Sequence, residues 1–342
     1  MNITATLAAE LSATAAQIQA AVSLLDDGAT VPFIARYRKE ATGGLDDTQL
    51  RTLAERLQYL RELEERRAAV LKSIDEQGKL TPELQAQIEA ADNKTALEDL
   101  YLPYKPKRRT KAQTARENGL QPLADLLLAE QPQDVETAAA PFVNDNVPDT
   151  KAALDGARAI LMEQFAEDAA LIGRLREKLW NEAEIHAQVV ADEEEKGEKF
   201  KDYFDHREAV RTMPSHRALA VLRGRNEGVL HIALKYQADD TPITQASEYE
   251  QIIAAQFGVS ENNKWLRDTV RLAWRAKIFL SLELEALNRL KEAADSDAIT
   301  VFARNLKDLL LAAPAGRLPT LGLDPGYRNG VKCAVVDDTG KL

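Results

Sequence analysis

The stretch of residues 45–77 repeats apolar side chains at the spacing of an α-helix. The recurring residues are Leu50, Leu53, Leu57, Leu60, Val70, Leu71 and Ile74. Opposite charges lie close together between Glu62 and Arg67, and they would support such a helix where it is exposed. A helix of this length suits an arm or a bundle, so the stretch predicts a mainly helical fold.

Capping residues, prolines and glycines predict where the other helices begin and end. Before residue 120, the predicted boundaries are a cap at Ser12, ends at Gly28, Gly43-Gly44 and Gly78, and starts at Pro32, Thr81-Pro82 and Thr95. Further on, the predicted helices are 149–190 with a break near Gly173, one capped by Ser215 and ended by Gly224, then 260–294 and 297–311. Residues 227–234 are the one clear strand before the end of the chain. The predicted fold class is mainly α, an elongated scaffold of many helices.

The composition of the 342-residue chain suits a globular protein of more than one domain, since 45% of its residues are hydrophobic and 29% are charged. No apolar run approaches ~20 residues and no signal pattern opens the chain, so we expect no membrane contact. The single cysteine, Cys333, allows no internal disulfide, which favours the cytoplasm. We expect Cys333 to be a small buried hydrophobic residue. The spacing of His186 and His206 predicts neither a metal site nor a cofactor.

The net charge of −11 argues against a uniformly basic surface, but the charge is uneven along the chain. Residues 1–120 hold 17 basic and 18 acidic side chains, whereas the remainder holds 27 and 37. The acidic excess therefore lies downstream, and the first third retains enough cations for a basic surface.

Three cations follow Pro32 closely and form what we call the first basic cluster: Arg36, Arg38 and Lys39. The apolar residues Phe33, Ile34 and Tyr37 are predicted to anchor the same short element. Short helices separated by turns here would make a helix-turn-helix-like unit. The alternative is an ordinary amphipathic helix with a solvated basic face.

A second basic segment combines cations with aromatic residues between helix-suppressing prolines. Its cations are Lys105, Lys107, Arg108, Arg109 and Lys111, and its aromatic residues are Tyr101 and Tyr104. Cations release phosphate counterions and aromatic faces stack bases, so this composition suits nucleic acid. It suits ion pairing with acidic protein surface equally well. For the two tyrosines, hydrophobic anchorage is favoured over base stacking.

Residues 320–337 predict a β-hairpin, in which Asp324 ends one apolar run and Pro325-Gly326 begins the turn. A carboxylate at this position can bind a divalent cation or lie beside nucleotide phosphates, and it can equally just cap the turn. A two-metal site would need further carboxylates. Because a lone hairpin is marginal in water, we expect residues 321–336 to be exposed or paired opportunistically.

Four stretches, in this order, resemble the bacterial Tex transcription accessory proteins. They are VPFIARYRKEATGGLDD, EDLYLPYKPKRRTKAQTARENGL, PSHRALAVLRGRNEGVL and LGLDPGYRNGVKCAVVD. The resemblance covers essentially the whole chain. It implies a helical, helix-turn-helix-like region in residues 1–120, a central helical region in 121–316, and the start of a truncated ribonuclease-H-like domain of the YqgF type in 317–342. It further implies that the family's OB-fold domain, the expected principal nucleic-acid contact, lies outside this N-terminal fragment.

We therefore expect a non-enzymatic, nucleic-acid-associated transcription factor in which these residues form a helical scaffold. The first basic cluster and the second basic segment are the expected phosphate contacts. One alternative is a metal-dependent nuclease, since the resemblance places Asp324 at the first acidic position of the ribonuclease-H-like fold. The other is a docking scaffold for the transcription machinery, with RNA polymerase or ribosome-associated proteins as partners.

Overall fold

The computed structural model describes residues 2–105, 109–237, 245–314, 316–326 and 330–342. In these ranges the chain is mainly helical, with a few short antiparallel strands. Its two compact units are Met1–Ala183 with Tyr236–Ala286, and Glu184–Lys235 with Leu287–Leu342. None of the described helices combines the length with the apolar composition that a membrane span requires.

Six helices open the larger unit: α1 (Ile3–Glu10), α2 (Ala15–Asp26), α3 (Val31–Tyr37), α4 (Asp47–Asp75), α5 (Pro82–Ala90) and α6 (Lys94–Tyr101). The predicted ends at Gly28 and Gly78 are confirmed, and both glycines have a positive φ that other residues rarely adopt. The predicted start at Thr81-Pro82 is also confirmed. The Thr81 side chain accepts a hydrogen bond from the Leu84 N–H, and Pro82 opens the helix.

The long helix α4 confirms the prediction for residues 45–77 and carries the core of this region. Its buried apolar stripe belongs to two hydrophobic clusters. The first packs Leu50, Leu53, Leu57 and Leu60 against Leu7, Ile18 and Ile34, and the second packs Leu63, Val70 and Ile74 against Ile88, Leu97 and Tyr101. Truncating one such buried leucine to alanine typically costs about 2–5 kcal/mol. The N-terminal half of α4 therefore fixes α1 to α3, and its C-terminal half fixes α5 and α6.

Two predicted caps are wrong. Thr14, rather than Ser12, caps α2 in a capping box with Gln17. Asn93, rather than Thr95, caps α6 by accepting a hydrogen bond from the Ala96 N–H. In both cases the cap is the residue with an extended backbone directly before the helix, which is the geometry that lets a side chain reach the third helical N–H.

Five further helices complete the first stretch of the larger unit: α7 (Lys111–Glu117), α8 (Gln121–Glu130), α9 (Val135–Ala139), α10 (Thr150–Ala166) and α11 (Ala169–Glu182). A 3₁₀ turn, Ala140–Phe142, follows α9. The predicted break near Gly173 is wrong, because Gly173 lies inside α11. The break falls instead before Asp168, whose side chain caps α11 by accepting from the Leu171 N–H.

The smaller unit contains a three-stranded antiparallel sheet in the order β2-β1-β3, with β1 (Glu184–Val189), β2 (Asp205–Ala209) and β3 (Leu230–Lys235). The register places His186 opposite both Arg207 and Ala233. The predicted strand is confirmed as β3. Strand β1 was hidden in a stretch predicted to be helical, and β2 gave no alternating pattern. The 3₁₀ turns Glu198–Tyr203 and Val210–Thr212 precede and follow β2.

Helix α12 (Ser215–Asn226) lies between β2 and β3, and its predicted boundaries are wrong. Pro214 occupies the cap position, while the Ser215 hydroxyl donates a hydrogen bond to Asp297. Gly224 lies within the helix, and the position requires a glycine because a Cβ there would lie 2.5 Å from the Leu230 side chain. The helix ends two residues before Gly228, which has a φ of +75°.

The remaining helices are α13 (Glu248–Gln256), α14 (Lys264–Ala273) and α15 (Phe279–Leu310), with a π-helical turn, Trp274–Ile278, between the last two. The two helices predicted around residue 295 are one continuous helix, α15. Trp274 is fully buried, as expected for a core tryptophan, and its ring stacks on Tyr249 with centroids 4.6 Å apart.

The predicted terminal hairpin is confirmed as β4 (Thr320–Gly326) and β5 (Gly330–Val336), paired antiparallel. Its apolar side chains are exposed, with Leu321, Leu323 and Val335 each showing about three fifths of their surface. Cys333 is exposed, so its predicted burial is wrong. The helix-turn-helix-like geometry, the ribonuclease-H-like domain and the three-part division of the chain stay predictions.

Candidate nucleic-acid interface

Helix α3 and the loop after it carry the first basic cluster. The Thr30 side chain caps α3 by accepting from the Phe33 N–H, and Pro32 lies in its first turn. Ile34 is fully buried and anchors the helix on α4, as predicted. Since α3 ends at Tyr37, the chain then turns sharply through residues 38–44.

The loop after α3 is held on α2 through Gly43, and a buried threonine closes the loop from within. The Gly43 carbonyl accepts a hydrogen bond from Gln17 Nε2 at 2.8 Å, and a Cβ at Gly43 would lie 2.9 Å from Gln17 Cγ. Thr42 is fully buried, and its hydroxyl donates to the Lys39 carbonyl. These contacts place the loop beside α3, and together they line an open concavity of about 700 Å³.

The three cations of the first basic cluster share that concavity. Arg36, Arg38 and Lys39 are all exposed. Arg38 donates to the Tyr37 carbonyl at 3.0 Å, and its guanidinium lies 5.2 Å from the centre of the Phe33 ring. Within the described part of the chain, none of the three forms an ion pair with a carboxylate.

The arginines of the neighbouring helix α4 behave differently, because each has a carboxylate partner. The pairs are Arg51 with Asp47, Arg56 with Glu10, Arg61 with Asp26 and Arg66 with Glu98, at 2.5–2.8 Å. Hydrogen bonds from these guanidinium groups lower the pKa of Glu10, Asp26 and Glu98. The three cations of the first basic cluster therefore form no ion pair within the described ranges, although the exposed Glu40 lines the same concavity, whereas the arginines of α4 are paired.

The predicted anchoring role of Phe33 and Tyr37 is wrong. Phe33 is 39% exposed and Tyr37 is 65% exposed, so α3 is attached to the core by the buried Ile34 with Val31 and Ala35 beside it. The two rings contact each other with centroids 5.4 Å apart. The apolar spacing of α3 gave no signal for their exposure, because the helix is too short to establish which face is buried. The structure thus adds two aromatic side chains to the basic surface.

The second basic segment is only partly available to a ligand. Tyr101 is buried and its hydroxyl lies 3.0 Å from the Ser73 hydroxyl, while Tyr104 packs partly buried against the same cluster. The favoured anchorage of these tyrosines is confirmed. Arg109 pairs with Glu117 at 2.6 Å. Lys105 and Lys111 are exposed. The predicted contacts Lys107 and Arg108 lie outside the described residues.

Asp324 is exposed on the hairpin, opposite Lys332, whose ammonium nitrogen lies 4.0 Å from its carboxylate. Among the described residues, no group of three His, Cys, Asp or Glu side chains comes together in a way that could hold a metal ion. His186 and His206 lie on adjacent strands but face separate carboxylates, Asp205 and Glu208.

Comparison with known proteins gives two family-model matches in this chain. The model described as Tex-like protein N-terminal domain matches residues 1–75, and the one described as Tex central region-like matches residues 130–302. The first basic cluster lies within the N-terminal match. The second basic segment and the terminal hairpin lie outside both matches.

Relatives in other species match along the chain. A transcriptional accessory protein Tex from Neisseria gonorrhoeae is 84% identical over all of this chain and 45% of its own length. Protein YhgF from Escherichia coli is 58% identical over 98% of this chain and 44% of its own. The human S1 RNA-binding domain-containing protein 1 is 26% identical over 94% of this chain and 33% of its own. The chain thus spans less than half the length of these curated relatives. Since one family model matches half of it, the chain belongs to the Tex family.

Proposed function

We propose that this chain is the helical part of a nucleic-acid-associated transcription accessory factor, and that the first basic cluster is an auxiliary phosphate-binding surface within it. The observation that carries the proposal is that Arg36, Arg38 and Lys39 are exposed together without an ion pair in the described residues. The names of the gonococcal and human relatives, which mention transcription and RNA binding, support the same kind of ligand.

The close spacing of three cations without ion pairs, in the part of the chain that the structure describes, sets this surface apart in a chain that is acidic overall, with a net charge of −11. Carboxylates are plentiful enough to pair with the arginines along α4, yet none pairs with the first basic cluster in the described residues. Three cations and one carboxylate, Glu40, line the concavity, so its side chains carry a net positive charge that a polyanion can neutralise. Phosphate oxygens meet this need, and their release of condensed counterions makes binding strongly dependent on salt.

The remaining cations of the second basic segment would contribute less. Lys105 and Lys111 are exposed and free to contact phosphate, whereas Arg109 would first have to give up its ion pair with Glu117. We therefore assign the second basic segment a secondary, purely electrostatic contribution to the same binding.

The test is a titration of the chain with labelled single-stranded and duplex DNA and RNA at several salt concentrations. The variant replaces all three cations of the first basic cluster with glutamine. A matched control neutralises three dispersed exposed lysines of the same unit and so changes the net charge equally: Lys79, Lys151 and Lys264.

We expect the slope of log affinity against log salt to fall by about 2 in the cluster variant, since each phosphate contact on a single strand contributes roughly 0.7. The control should change the slope by much less, because its charges are scattered. Equal slopes for the two variants would overturn the assignment of the phosphate surface to the first basic cluster.

The alternatives make different predictions in the same experiment. If the chain is a docking scaffold, replacing the first basic cluster should leave the salt dependence of any nucleic-acid binding unchanged. A metal-dependent nuclease would shorten the labelled strands when Mg²⁺ is added, and Asp324→Asn would abolish that cleavage.

A further inference from the structure

Phe33 and Tyr37 form an exposed aromatic surface beside the first basic cluster, and phosphate binding leaves it unused. We propose that Tyr37, supported by Phe33, is a stacking platform for an unpaired nucleobase, so that the surface takes a single strand rather than a duplex. This inference rests on the proposed function, because the same three cations would hold the phosphates of that strand.

The geometry leaves Tyr37 free to stack. The Phe33 ring is flanked by the Tyr37 ring, at a centroid distance of 5.4 Å, and by the Arg38 guanidinium, at 5.2 Å. Phe33 is thereby partly covered, whereas Tyr37 keeps 65% of its surface in contact with solvent. Arg38 is held near the rings by its hydrogen bond to the Tyr37 carbonyl. A cation and an aromatic face therefore lie side by side at the edge of one concavity.

Stability does not explain the exposure of Tyr37, since other aromatic residues of the same unit are buried. Tyr101 and Tyr249 are 6% and 1% exposed, and Trp274 is fully buried. Helix α3 already has its anchor in Ile34, which is fully buried against α4. An aromatic ring held outward on a short capped helix is the arrangement that single-strand-binding surfaces use to stack bases.

The shape and charge of the surface favour an unpaired nucleotide. Both faces of a base inside a duplex are covered by its neighbours, so only an unpaired base can offer a free face to Tyr37. The concavity of about 700 Å³ has room for a nucleotide. Its glycine Gly44 has no atom within 4 Å of the position that a Cβ would take, so the wall of the concavity stays open there. RNA and DNA strands share this chemistry.

The experiment separates base stacking from phosphate binding. The 342-residue chain is titrated at low salt with four labelled probes of equal length: oligothymidylate, an abasic strand with the same phosphodiester backbone, oligouridylate, and a duplex. The proteins are the natural chain, Tyr37→Ala, and Tyr37→Phe, which keeps the ring. The control Leu284→Ala removes an apolar side chain of similar exposure, 56%, from α15.

We expect the natural chain to bind oligothymidylate about tenfold more tightly than the abasic strand, in keeping with the usual contribution of one stacked base. Tyr37→Ala should erase that difference and leave abasic and duplex binding unchanged, while Tyr37→Phe and the control keep it. Oligouridylate should show the same dependence on Tyr37, since RNA and DNA bases both offer a free face to the ring.

The two proposals fail in distinguishable ways. If Tyr37→Ala binds oligothymidylate as well as the natural chain does, the stacking platform is refuted, although the phosphate surface stands. If the natural chain binds none of the four probes at low salt, the proposed phosphate surface fails, and the stacking platform fails with it.

Discussion

The two basic stretches of this chain look alike in sequence and differ in structure. Each places tyrosine among closely spaced cations. In the first, Tyr37 is exposed and the cations lack ion pairs within the described residues. In the second, Tyr101 is buried and Arg109 pairs with Glu117. Composition alone therefore cannot tell a basic patch with an exposed tyrosine and no ion pairs from one with a buried tyrosine and an ion pair, because both use the same side chains.

The difference comes from the contacts that each stretch makes with α4. Its C-terminal half provides an apolar cluster, with Val70 and Ile74, into which Tyr101 inserts. It also provides Arg66, whose guanidinium lies 5.2 Å from the Tyr101 ring centre. Its N-terminal half receives Ile34 from α3. Tyr37 is thus left outside the core, while Tyr101 becomes part of it.

The largest contrast between the two stretches should appear in stability. We expect Tyr101→Ala to lower the free energy of unfolding by about 3–5 kcal/mol, because it empties a packed aromatic site. Tyr37→Ala should change it by no more than about 0.5 kcal/mol, as is usual for an exposed position. Urea denaturation followed by circular dichroism measures both. Similar losses for the two variants would mean that Tyr37 also belongs to the core.

Nucleic-acid affinity should show the opposite order. Neutralising the second segment with Lys105→Gln, Arg109→Gln and Lys111→Gln should weaken single-strand binding about threefold or less, since Arg109 is already compensated. Neutralising the first basic cluster should weaken it about tenfold or more at low salt. Fluorescence anisotropy at matched salt compares the two triple variants. A larger loss from the second segment would reverse the assignment of the main phosphate contacts.

The sequence predicted the helices well where long-range contacts were not needed. The apolar period of α4, the glycine ends at Gly28 and Gly78 and the start at Thr81-Pro82 are local signals, and all are confirmed. Strand β1 was missed because a strand buried between two partners, β2 and β3, shows no alternating polar face. The prediction of a helix end at Gly224 is wrong because the glycine allows the close approach of α12 to Leu230.

For the candidate site, the sequence predicted the cations but could not predict their environment. Whether an arginine has a carboxylate nearby depends on the folded structure. Arg109, for example, pairs with Glu117, eight residues away in the sequence, only because the fold brings the two side chains together. The exposure of Tyr37 was equally hidden, because seven residues of α3 do not define a buried face. These are the properties that separate a ligand-binding patch from an ion-paired one.

A smaller effect should come from the Tyr101 hydroxyl. Tyr101→Phe keeps the ring and removes the hydrogen bond to Ser73, so we expect a loss of about 1 kcal/mol in the free energy of unfolding. The double variant with Ser73→Ala should lose little more than either single variant, because both substitutions break the same bond. If the losses simply add, the hydroxyl contact does not stabilise the fold.

The smallest predicted effect depends on pH and concerns the ion pair of Arg66 with Glu98, which lies beside Tyr101. The hydrogen bond from Arg66 lowers the pKa of Glu98 below its ordinary value of 4.5, and Lys105 adds to this electrostatically. A carboxyl whose pKa is lower in the folded state stabilises the fold at neutral pH, and the contribution disappears as the pH falls through that lowered pKa. Both side chains are about two fifths exposed, so we expect only about 0.5 kcal/mol.

Arg66→Met should therefore lower the free energy of unfolding at pH 7. The part of this loss that comes from the ion pair should disappear well below pH 4.5. Urea titrations at both pH values measure this, with Arg51→Met as the control, because Arg51 pairs with Asp47 on a more exposed part of the same helix. An equal loss at both pH values would show that Arg66 stabilises Tyr101 by packing over its ring rather than through Glu98.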